Sequence, residues 1–134
     1  MSEETTLVIV KPDAVRRGLI GEVLGRIERK GLRIEAMRQM RIDRDLAERL
    51  YDEHRDKAFF GELVGFITSG EVVVARVSGD QVVSVVRTLM GATDPVQAPP
   101  GTIRGDYGVV ITENLVHGSD SPESAKRELD LFFG

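Results

Sequence analysis

Apolar residues recur along this chain with two periods, and the change from one to the other marks out the elements. Residues 6–10, TLVIV, are almost continuously apolar and read as a short buried strand stopped by Lys11-Pro12-Asp13. Ile20, Val23, Leu24 and Ile27 then repeat at helical spacing, with Gly31 as a C-terminal stop. RIEAMRQMRI, residues 33–42, alternates, which predicts a strand with Ile34, Ala36, Met40 and Ile42 on one covered face. From Leu46 to Ile67 the pattern is helical, with two short helices expected around a hinge at DKAFFG. VVVARV predicts a third strand, and Val82, Val83, Val86 and Leu89 another amphipathic helix. YGVVIT, residues 107–112, reads as the last strand. A last helix carries Ala125, Leu129 and Phe132, with Ser121-Pro122 suited to its N-cap and first position.

Without the extra helices, this is the β-α-β-β-α-β order of a ferredoxin-like α/β (α+β) sandwich: a four-stranded, mainly antiparallel sheet with helices packed on it. A parallel doubly wound sheet is the rival, and four strands would make a small one. The 134 residues fit a single domain spanning 1–134, with no internal repeat or linker. One stretch departs from this economy. MGATDPVQAPPGTIRGDY, residues 90–107, holds three of the five prolines and few apolar anchors. Connections of that length are usually functional or disordered. The prolines restrict its freedom, so an ordered, working loop is expected.

Composition removes several classes of chemistry. There are no cysteines, so disulfide scaffolds and thiolate catalysis are excluded. The two histidines, His54 and His117, are a poor start for a zinc site. Neither a Walker-type phosphate loop, a dinucleotide-binding glycine motif nor a nucleophile elbow is present. The net charge of −4 argues against a general polyanion binder. With no leader and no membrane-length apolar run, a soluble, cytoplasmic protein without a membrane partner is expected.

His117 therefore stands out, in the glycine-containing loop NLVHGSDS. A solvated loop residue is the plain alternative. Glu128 follows on the last helix at the border of its inward stripe, where a carboxylate is costly unless partnered. An imidazole suits it: a carboxylate accepting from one ring N–H leaves the other nitrogen's lone pair free. Such a histidine is a usable nucleophile near neutral pH. Lys11, Arg87 and Arg104 could together neutralise a phosphate chain, Arg by paired hydrogen bonds, with Thr93 and backbone N–H groups as further donors. Of Phe59 and Phe60, one is expected in the core and the other as a platform for a flat ligand. His54 has no such setting and reads as a surface residue.

Five segments in order, TLVIVKPDAV, AFFGELVGFITSG, GATDP, PGTIRGDY and NLVHGSDS, give a collinear resemblance to the nucleoside diphosphate kinases over nearly the whole chain. The resemblance implies a ferredoxin-like fold and a two-step, ping-pong exchange. A nucleoside triphosphate gives its γ-phosphoryl group to His117, and a nucleoside diphosphate then takes it. Position by position, His117 matches the nucleophile, Glu128 the carboxylate holding its ring and Ser119 a support of that pair. Lys11, Arg87, Thr93, Arg104 and Asn114 match residues binding phosphates or sugar. Tyr51 matches a residue near the transferring group, and His54 one near the bound phosphates. Phe59 matches the residue stacking on the base, with Leu63 and Ile111 lining the same cleft. Base tolerance would be broad.

Magnesium (Mg2+) would arrive on the phosphates without a direct protein ligand, with Asp120 able to reach its water shell. Self-association into a homotetramer or homohexamer is implied. Ala14, Ala58 and Glu71 depart from frequent glycine, proline and proline without removing a proposed chemical group. An RNA-recognition domain is the competing class for such a sheet, but VVVARV offers no aromatic for base stacking, so no specific nucleic acid is predicted. A regulatory homologue without turnover would be expected to lack some of these groups.

Overall fold

The sheet explains why two of its strands are apolar almost throughout. In the computed structural model, which describes residues 3–134, β1 (Glu3–Val10) is followed by α1 (Pro12–Arg16), α2 (Ile20–Arg29) and β2 (Arg33–Arg41). Next come α3 (Arg44–Leu50), a 3-10 turn at Asp52–His54, α4 (Phe60–Ile67), β3 (Glu71–Asp80) and α5 (Val82–Met90). A second 3-10 turn at Pro95–Gln97, α6 (Ile103–Tyr107), β4 (Val116–Gly118) and α7 (Pro122–Phe133) complete it. The strands lie in the order β2-β3-β1-β4, and every pairing is antiparallel. This is the expected α+β sandwich.

Both faces of the central strands are covered. Val8 and Val10 of β1, with Val73, Ala75 and Val77 of β3, pack under α2 and α5. Leu7 and Ile9, with Val72 and Val74, face the opposite way against α3, α4 and α7. Leu7 through Val10 are therefore wholly buried, and burying each such side chain stabilises the fold by roughly 1.5–3 kcal/mol.

Two strand expectations change. β2 does not keep one covered face. Its register with β3 shifts between Ile34 and Ala36, so Ile34 packs in the first core and Met40, with Ile42 just beyond the strand, in the second. A bulge of this kind inverts the side-chain alternation after it. Nor is YGVVIT a strand. Val109, Val110 and Ile111 are more than half exposed, and the place beside β1 belongs to the three-residue β4, with His117 opposite Ile9.

The proline-rich stretch is ordered. Asp94 caps its 3-10 turn through the Val96 N–H, and Thr102 caps α6 through the Gly105 N–H. Asp106 accepts from the Gly101 N–H at 2.9 Å and from Arg26 at 2.7 Å. Ser121 and Pro122 are the N-cap and first residue of α7, as their types dictate.

Candidate active site

β4 brings His117 to the sheet edge, and α7 brings Glu128 to meet it. His117 Nε2 lies 2.7 Å from Glu128 Oε1, and the Ser119 hydroxyl donates to the same oxygen at 2.8 Å. A carboxylate oxygen can only accept, so Nε2 carries the proton, and in the neutral ring the lone pair is then on Nδ1. Burial alone would raise the Glu128 carboxyl. The His117 ring, Ser119 and Arg127 outweigh it and hold the group below its ordinary value, ionised at neutral pH.

The segment before His117 is strained. Leu115 has φ of +76°, and the Val116 N–H donates to the Asn114 carbonyl at 2.8 Å, the bond and angle of a rare γ-turn. Arg104, on α6, braces this turn from below. Its Nε donates to Asn114 O at 3.1 Å, Nη2 to Val116 O at 2.7 Å and Nη1 to Gly91 O at 3.1 Å. Three of the five guanidinium N–H groups are thus committed to backbone carbonyls, which leaves two for the paired grip on phosphate expected of it. Burial, with Arg87 nearby, pushes its pKa down to about 10.

Lys11, at the end of β1, donates to Asn114 Oδ1 at 2.8 Å, while Asn114 Nδ2 donates to the Thr93 carbonyl at 3.1 Å. Burial and then the Arg104 charge lower the Lys11 ammonium to about 8, against an opposing pull from Asp13. Arg87 reaches the Gly118 carbonyl with one nitrogen at 3.4 Å and is otherwise exposed.

These groups share a cleft of about 330 Å³, which Tyr51, His54 and Asp120 also line. Burial first, and the Glu128 charge second, push the Tyr51 phenol well above its ordinary value, so it stays protonated. An adjoining, more apolar cleft of about 310 Å³ is walled by Phe59, Leu63, Phe66 and Ile111, and meets the first at Lys11, Tyr51 and Asn114. All the predicted residues except Ser119 therefore line one cleft or the other, and Ser119 lies behind Glu128. Phe59 is the exposed member of the aromatic pair, at 45%, and Phe60 packs into the core at the start of α4.

The surface reading of His54 is corrected. Its ring lies between those of Tyr51 and Phe59, with centroids at 6.5 and 5.6 Å, and its Nδ1 is buried with no hydrogen-bond partner among the described residues. The 3-10 turn at Asp52–His54 turns it inward, which helical periodicity could not reveal. Sequence reasoning also missed Asp13, whose Oδ2 accepts from the Leu115 N–H, and Arg127, which donates to the carbonyls of Arg49 and Leu50 beside Tyr51. Nothing in their local pattern marks either. Of the three departures, Ala14 is in the core and Ala58 and Glu71 are exposed; none lines either cleft.

A carboxylate-held imidazole and clustered cations in one cleft, with an apolar slot adjoining it, suit a phosphotransferase acting on nucleotides. The family model for nucleoside diphosphate kinase matches residues 4–134. Nucleoside diphosphate kinase from Rubrobacter xylanophilus is 62% identical over 131 residues, covering 98% of each chain. That of Parafrankia sp. is 60% identical over 133 residues, covering 99% of this chain and 97% of its own. A halophilic nucleoside diphosphate kinase from Halobacterium salinarum, solved in complex with CDP, superposes with a TM-score of 0.95 at 51% identity, over 98% of this chain and 88% of that one. This chain belongs to the nucleoside diphosphate kinase family.

Proposed function

We propose that His117 carries the phosphoryl group in a two-step exchange between nucleoside triphosphates and diphosphates. The observation that carries the reading is the Nε2–Glu128 hydrogen bond, which leaves Nδ1 as the ring nitrogen able to attack. In the first step the Nδ1 lone pair forms a bond to the γ-phosphorus. The bond to the bridging oxygen breaks, and the diphosphate leaves with that electron pair. The ring gains positive charge, which the Glu128 carboxylate offsets. In the second step a terminal phosphate oxygen of another diphosphate attacks the phosphorus, and Nδ1 recovers its lone pair.

The other groups position and neutralise. Lys11, Arg87 and the two uncommitted N–H groups of Arg104 face the phosphate chain, with Thr93, Asn114 and His54 as further polar contacts to phosphate or sugar. Tyr51, kept protonated, donates near the transferring group. Phe59 stacks on the base, with Leu63 and Ile111 beside it. This slot supplies apolar surface and few base-specific donors, which supports broad base tolerance. The CDP bound to the Halobacterium salinarum relative supports a nucleotide as occupant.

Among the described residues no group of three or more His, Asp or Glu side chains could hold a metal ion, and Asp120 places a carboxylate at the cleft wall. That donor set fits Mg2+, which needs few protein ligands when it binds phosphate oxygens and water. When bound it would neutralise phosphate charge, with Asp120 reaching its water shell. The cytoplasm is the proposed place of action, and among the described residues no helix is long and apolar enough to cross a membrane. Residues 1–134 form one domain that assembles as a homotetramer or homohexamer.

The test is nucleotide exchange by purified His117→Ala. The reading expects no exchange by a folded protein that still binds nucleotide. Exchange at the unsubstituted rate, with contamination excluded, would sink it.

A further inference from the structure

The γ-turn before His117 is held from the other end of the chain. Leu115 is wholly buried at φ of +76°, a conformation that L-residues keep only where their surroundings over-determine it. Both of its backbone groups are taken by the start of α1, its N-cap Lys11 and its second residue Asp13. Its N–H donates to Asp13 Oδ2 at 3.1 Å, and its carbonyl accepts from the Lys11 N–H at 2.9 Å. Asp13 is 3% exposed and lines neither cleft. A buried carboxylate is costly to the fold unless it makes compensating bonds. Here its bond to another part of the chain is spent on the one strained residue between Asn114 and His117.

We propose that Asp13 is a positioning residue for phosphoryl transfer, acting through the Leu115 N–H to fix the turn from which Asn114 and His117 project. The proposal rests on His117 being the phosphoryl carrier. Without this acceptor, Leu115 loses one of the two bonds its own backbone groups make and relaxes toward negative φ. The peptide planes on either side then rotate. His117 Nδ1 leaves the line of attack, and the Asn114 amide leaves Lys11. A displacement of about 1 Å at a reacting atom can cost on the order of a hundredfold in rate.

The test compares Asp13→Asn, Asp13→Ala and Asp13→Cys with the unsubstituted protein in single-turnover phosphorylation of His117 by saturating magnesium ATP. Asparagine keeps an oxygen that can accept the Leu115 N–H, so it should react within about threefold of the unsubstituted rate. Alanine removes the acceptor, and the folded variant should be slower by about tenfold or more at saturation, an effect on kcat beyond any on KM. Cysteine, close to aspartate in size and a weak acceptor, should behave as alanine does and replaces it if alanine does not fold. Amide exchange at Leu115 should quicken in the slow variants and not in Asp13→Asn.

A folded alanine or cysteine variant that reacts at the unsubstituted rate overturns the proposal. So does an asparagine variant as slow as the other two, because charge rather than the hydrogen bond would then matter. An unsubstituted protein that takes no phosphoryl group defeats the reading of His117 itself. Labelled His117 with indifferent variants defeats only the role of Asp13.

Discussion

The Lys11 ammonium donates to the side-chain oxygen of Asn114 at 2.8 Å, joining positions 103 residues apart. The bond closes the floor of the cleft, and its donor is a lysine whose burial has lowered it to about 8. It follows that nucleotide binding is linked to protons. A bound polyphosphate favours the charged ammonium and raises its pKa, so affinity should fall as pH rises above about 8, by at most about tenfold per pH unit. Binding measured from pH 6.5 to 9.5 should show this slope, and Lys11→Gln should bind more weakly with the slope gone. The same group acts on stability in the opposite sense. Its folded value lies below the unfolded 10.5, so the folded state holds fewer protons between the two, and this group makes stability rise across that interval.

Glu128 titrates in the acid range. Its folded pKa lies below the ordinary 4.5, so its contribution to stability is complete above that value and is lost as pH falls through the folded one. Glu128→Gln should flatten this part of the acid unfolding curve. It should also slow His117 phosphorylation by roughly tenfold, because an amide can hold the ring without offsetting its positive charge. Acid melts and single-turnover rates on the same variant check both effects.

Arg104→Lys should not be a conservative change. The guanidinium serves the carbonyls of Gly91, Asn114 and Val116 at once, and a single ammonium lacks that planar fork. Leaving buried carbonyls unpaired costs about 1–3 kcal/mol, a loss that thermal unfolding would show as a lower Tm. Activity should fall as well, because two of the three carbonyls that lose this donor, those of Asn114 and Val116, belong to the γ-turn.

Gly91→Ala tests the same brace from its other end. Gly91 has φ of +87°, and a Cβ there would lie 2.5 Å from Thr102 Oγ1, the atom that caps α6. Positive φ and the close contact together should destabilise the protein by roughly 2–4 kcal/mol. Denaturant unfolding measures it; a loss under 0.5 kcal/mol would contradict this view of the turn.

What the sequence reveals about the fold depends on how long each pattern runs. β1 and β3 are legible because both faces of the sheet are covered, which leaves near-continuous apolar runs. α5 and α7 keep helical periodicity long enough to read, and the Ser121-Pro122 cap is local chemistry. β4 is not legible, because three residues cannot show a period, and the apolar Val109–Ile111 nearby gives a stronger but misleading signal. The bulge in β2 is set by pairing with β3 and leaves no mark in β2 alone. In the site, His117 and Glu128 could be matched because a buried acid needs a partner. Asp13 and Arg127 could not, since both act on backbone groups of distant segments, and any sequence supplies those.

The measurement that bears most directly on the account is the state of the protein after mixing with ATP and magnesium in the absence of acceptor. The account predicts an acid-labile phosphoryl group on His117 that disappears when a nucleoside diphosphate is added, with the matching triphosphate formed. Folded protein that binds nucleotide yet carries no phosphoryl group, or carries it on another residue, would contradict it.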